Sequence, residues 1–71
     1  MSTNEFCEAV RAAIADELEA ARMYTNLAQS APHVAIRARI MCFAAEERRH
    51  ARQLSCLCPE MEPEDGMDPD G

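Results

Sequence analysis

Apolar side chains recur at alternating spacings of three and four through two long stretches of the chain, the period that places them on one face of a helix. In the first stretch the series reads Cys7, Val10, Ile14, Glu17, Ala21, Tyr24, Ala28, flanked by Phe6, Ala13, Ala20 and Leu27. In the second it reads Ile36, Ile40, Phe43, Glu47, His50, Leu54, Leu57. The strong punctuation between them is Ser30-Ala31-Pro32, and no glycine occurs before Gly66. The pattern predicts two helices joined by one short turn. The first opens on a capping box, Ser2-x-x-Glu5, and runs to about Gln29. The second is capped by Ser30, takes Pro32 into its first turn, and stops near Cys58 because Pro59 disfavours helix before it.

The expected fold is therefore all-α, an antiparallel helical hairpin over residues 1 to 58. Two helices packed only on each other leave half of such broad apolar faces wet, so the hairpin should pair with a second copy into a four-helix bundle. A length of 71 residues supports the same expectation. A chain this short builds a marginal core and calls for a partner, a metal or a crosslink.

Charge divides the chain differently. Residues 1 to 58 hold seven acids and seven arginines, whereas Glu60, Glu62, Glu64, Asp65, Asp68 and Asp70 follow Pro59 and account for the net charge of −6. Rich in proline and acid and poor in large apolar residues, 59 to 71 reads as an acidic disordered tail. The balance speaks against nucleic acid as a partner, since a binder presents a basic face. No apolar run is long enough to span a membrane, and Met1-Ser2-Thr3-Asn4-Glu5 does not read as a secretory signal, so the expected location is cytoplasmic.

The stripes are apolar except at mid-height. Burying an ionised carboxylate without a partner costs several kcal/mol, yet Glu17 and Glu47 interrupt the two faces. In a hairpin turning near residue 32, positions summing to about 64 lie opposite one another, so these glutamates should meet, with His50 one turn from Glu47. Glu47-Arg48-Arg49-His50 is an E-x-x-H, whose spacing lets a carboxylate and an imidazole converge on one ion. The motif alone is weak; the constellation is more specific. Two hairpins would bring two lone glutamates and two E-x-x-H pairs to one core, the donor set of di-metal carboxylate bundles. Four carboxylates and two imidazoles suit iron or manganese, with zinc as a competitor.

The segments Asp16-Glu17-Leu18-Glu19-Ala20-Ala21-Arg22-Met23-Tyr24 and Ala45-Glu46-Glu47-Arg48-Arg49-His50-Ala51 resemble ferritin-like di-iron proteins. Within that group the chain is most similar to the half-length encapsulated ferritins, over about residues 6 to 56. The resemblance implies a ferritin-like bundle with a ferroxidase site shared across a dimer, oxidising Fe(II) for iron storage or detoxification. It implies Glu17, Glu47 and His50 as ligands, Tyr24 as a tyrosine close to the site, and Asp16 and Glu19 as an acidic metal-uptake region. It also implies a homodimer or higher homo-oligomer, an encapsulin-type shell as a candidate partner, and a place inside a protein nanocompartment.

Plainer readings stand beside these. Tyr24 also fits a core tyrosine, Asp16 and Glu19 a solvated face, His33 a first-turn surface residue, and the methionines packing. Arg37, Arg39, Arg48, Arg49 and Arg52 read as a solvated face with ion pairs across the helices. Cys42 should pack. Cys7, Cys56 and Cys58 should cluster at the open end of the hairpin, where a disulfide or a second metal could join the termini, although idle thiols are the simpler expectation in a reducing cytoplasm. The functional alternatives are a rubrerythrin-like peroxide reductase with the same ligands, a non-enzymatic metal-stabilised helical module, and thiol-based metal handling.

Overall fold

A computed structural model describes residues 1–58 as two antiparallel helices, α1 (Thr3–Gln29) and α2 (Val34–Ser55). The expected disordered tail, 59 to 71, lies outside the described residues. The capping box at the start of α1 is formed in both directions: Glu5 N–H donates to Ser2 Oγ at 3.1 Å and Ser2 N–H donates to Glu5 Oε1 at 3.0 Å. Ser2→Ala should therefore lower the stability of the hairpin by about 1 kcal/mol, read as an earlier thermal transition by circular dichroism.

The turn departs from the expected arrangement. Ser30 does not cap α2; its backbone, at φ −97° and ψ 1°, finishes α1, and its N–H donates to Leu27 O at 3.0 Å. That conformation is incompatible with the extended backbone an N-cap needs. His33 takes the role instead at φ −131° and ψ 149°, without a side-chain capping bond, so Pro32 precedes α2 rather than entering its first turn. Arg37, one turn into α2, reaches back and donates from Nε to Ala28 O at 3.3 Å. No basic residue occurs in the last turn of α1. Arg37 thus supplies from the neighbouring helix the positive charge that favours a helix C-terminus.

The surface joining the helices is built from small residues. Val10, Ala21, Ala28, Ala44, Ala51 and Cys58 are buried, and no large side chain is fully so. The bulky members of the anticipated stripes stay half-buried or exposed: Phe43 is 45% exposed, Ile36 41% and Leu57 55%. The stripes thus serve less to join α1 to α2 than expected. Small side chains let the helix backbones approach, while Phe6, Ile36, Phe43 and Leu57 remain without full cover within one hairpin. Ala44, Ala51 and Cys58 recur every seven residues, as do Ala21 and Ala28, the spacing of a coiled-coil seam.

At the open end Cys7 is bonded to Cys58, which corrects the expectation of idle thiols. The two residues are 51 apart in sequence. Closing a loop of that length removes unfolded-chain entropy corresponding to about 4 kcal/mol. For a core made mostly of alanine, this is a dominant contribution. Cys42 is exposed on α2, so it does not pack as expected.

Candidate metal centre

Glu17 lies near the middle of α1, and Glu47 and His50 share one face of α2 three residues apart, so the antiparallel register brings all three to one level. His50 Nδ1 lies 3.6 Å from Glu17 Oε1 and 3.7 Å from Glu47 Oε1. One donor atom from each residue falls within 4.8 Å of the others. These separations exceed a good hydrogen bond and approach the spacing of donors arranged around a common ion at about 2 Å. The carboxylates are half-buried, with side chains 29% and 24% exposed, while that of His50 is 48% exposed. A cleft of about 380 Å³ beside the trio is lined by Glu17, His50, Gln53, Leu54 and Leu57.

The electrostatics identify what the cluster lacks. The Glu47 carboxyl is held above its ordinary pKa, first by a hydrogen bond with Glu17, then by desolvation and by the negative charge of Glu17. His50 acts in the opposite direction, favouring the charged form. Two carboxylates held at close range are a pair in want of positive charge, and a divalent cation would supply it. Two carboxylates with one imidazole form a hard oxygen-rich donor set that fits iron and manganese, and zinc less selectively.

The remaining candidates are placed as follows. Tyr24 lies two turns beyond Glu17 and meets Phe43 edge to face, with ring centroids 5.6 Å apart. Asp16 and Glu19 are exposed, and Glu19 is engaged by Arg22 at 2.7 Å within the same helix. That is the ion pair of an arginine among the described residues, so the expected arginine pairs between helices do not form. Cys56 is a free, exposed thiol. The residues that sequence reasoning missed are Ala44 and Ala51, whose seven-residue repeat sets the helix approach on which the centre depends.

A family model described as rubrerythrin matches residues 8–70, a span that contains α2, all but the first five residues of α1, and all three candidate ligands. No curated protein and no solved structure gave a significant match.

Proposed function

Because the chain belongs to the rubrerythrin family, within the ferritin-like di-iron proteins, we propose that it binds iron through Glu17, Glu47 and His50 and oxidises Fe(II) to Fe(III) as a ferroxidase. The observation that carries this reading is the convergence of Glu17 from one helix with Glu47 and His50 from the other, with the Glu47 carboxyl held above its ordinary pKa by Glu17 and by desolvation.

One hairpin offers three protein donors, too few for two metal ions, and its bulky apolar side chains lack full cover. A second copy related by a two-fold axis answers both needs. It doubles the set to four carboxylates and two imidazoles and covers the faces bearing Phe43 and Ile36. The half-length encapsulated ferritins that the sequence resembles offer one pattern for such a site, with a shell compartment as a further proposed partner.

In this assembly iron supplies the redox chemistry. Glu17 and Glu47 would hold the ions through their negative charge, and their partial exposure leaves that side of the site open to solvent. His50 adds a neutral donor and fixes the spacing of the carboxylates. Tyr24 lies two turns from Glu17 and meets Phe43 edge to face, so Tyr24→Phe should leave most of the activity in place.

The second reading, peroxide reduction, is favoured by the family match itself. Anaerobic titration with Fe(II), followed by separate additions of dioxygen and of hydrogen peroxide, distinguishes the two. The ferroxidase reading expects iron in a stoichiometry of two per pair of chains and multiple-turnover oxidation with dioxygen. Fast oxidation by peroxide alone would transfer the assignment to the reductase, and an absence of Fe(II) binding would remove both.

A further inference from the structure

The metal centre leaves the cysteines unused, and their placement bears on it. The Cys7–Cys58 disulfide closes a loop containing α2, α1 from Cys7 onward and all three ligands. Cys7 lies ten residues before Glu17, about 15 Å along α1 at 1.5 Å per residue, and Cys58 lies eight residues beyond His50. Glu17 belongs to one helix and Glu47 and His50 to the other, so the centre exists only while the helices keep their register. The register is fixed at one end by the turn and at the other by the disulfide. Between these ends the buried contact consists of Val10 and alanines.

We propose that the Cys7–Cys58 pair is a second, thiol-based redox site that sets the affinity of the Glu17–Glu47–His50 centre for a divalent cation, high when the pair is a disulfide and low when it is a dithiol. The proposal rests on the metal-binding reading of those three residues. Cys58 is 3% exposed whereas Cys7 is half-buried, so an external dithiol reaches Cys7 first. Its thiolate attacks Cys7 Sγ, the bond to Cys58 breaks, and Cys58 leaves as a thiolate that takes up a proton. The second thiol of the reductant then attacks the mixed disulfide and releases Cys7. Two electrons and two protons pass to the protein, and the reductant ends as its own disulfide. Cys56 stands outside the couple, its thiol donating to Arg52 O at 3.5 Å.

Opening the bond releases the free end of the hairpin. Assembling the three donors then requires ordering two helices whose buried contact is built mostly of alanine, and that cost is subtracted from the binding of the ion. Linkage makes the effect reciprocal: an ion that binds the disulfide form more tightly must make the disulfide harder to reduce by the same factor.

Mn(II) is the appropriate probe, because thiolates bind it poorly and free Mn(II) is read directly by electron paramagnetic resonance. Full-length protein should bind Mn(II) at least tenfold more weakly after reduction and removal of the reductant, and the Cys7→Ser/Cys58→Ser double variant should match the reduced form. Cys42→Ser/Cys56→Ser should bind as the oxidised protein does. Since the double variant can lose helix content, a second measurement uses unaltered protein in glutathione buffers. Mn(II) should shift the half-reduction point toward more reducing conditions, by tenfold or more in the ratio of reduced glutathione squared to its disulfide. His50→Ala should abolish that shift. Equal Mn(II) affinity in both forms with an unmoved glutathione midpoint overturns the redox coupling and leaves the metal centre standing, whereas an oxidised protein that binds no Mn(II) overturns the metal reading beneath it.

Discussion

Replacing His50 or Glu47 by alanine is expected to abolish rapid Fe(II) oxidation and to weaken divalent-ion binding by more than the roughly 10–100-fold that removal of an outer-sphere partner costs. Each substitution removes one of the three donors that converge among the described residues, and in the proposed two-fold assembly it would do so at both halves of the centre at once. Glu47→Ala also relieves the apo protein of one of two mutually repelling carboxylates, so its metal-free hairpin should be at least as stable as the unaltered one while its metal affinity collapses. This divergence separates a ligand role from a structural one, because a residue that merely supported the fold would lower both together. Isothermal titration with Fe(II) under nitrogen, paired with thermal unfolding of the metal-free variants, reads the two quantities. Oxidation at the unaltered rate by both variants would exclude these residues as ligands.

The parts of this architecture legible in the sequence are those that depend on helical period and hairpin register. Glu17 and Glu47 stand at the same level because their numbers sum to the value a turn near residue 32 requires, and His50 follows from the rise of one helical turn. Ser2 and Glu5 form the capping box that their spacing encodes. The turn was less legible because Ser30, suited by type to cap α2, is held in a helix-ending conformation by Leu27 and Ala28 upstream. The packing surface was misread for a different reason. A hydrophobic stripe identifies the residues that avoid water but not the partner that covers them, and within one hairpin the close approach goes to Ala21, Ala44 and Ala51 while Phe43 and Ile36 remain half-open. Hairpin register did place Cys7 beside Cys56 and Cys58; the idle-thiol reading came from the expectation of a reducing cytoplasm, and the Cys7–Cys58 bond overturns it.

Assembly of two hairpins should depend on metal. In the proposed two-fold arrangement four carboxylates would converge on an otherwise apolar interface, and within each hairpin Glu17 and desolvation already hold Glu47 above its ordinary pKa. A carboxyl whose folded pKa is raised binds protons more readily in the folded state than in the unfolded one. Its contribution is favourable below the unfolded value and is lost as pH rises through the raised folded value. Metal-free protein should accordingly be more stable and more associated at mildly acidic pH than at neutrality. A protonated His50, 3.6 Å from Glu17, opposes the repulsion between the carboxylates rather than adding to it. Two divalent cations would bring four positive charges to the same place, and if only the proposed pair of hairpins holds the whole donor set, mass action couples ion binding to association. At neutral pH, chelated protein should sediment as monomer or as a looser species, and Fe(II) under nitrogen or Zn(II) should restore the larger one. Lowering the pH of chelated protein should recover part of it, whereas in metal-loaded protein the same change should weaken assembly, as protons compete for the ligands. These opposite slopes, measured by analytical ultracentrifugation, distinguish a metal-bridged interface from one held by Phe43, Ile36 and their neighbours alone, which would give the same oligomer with and without metal.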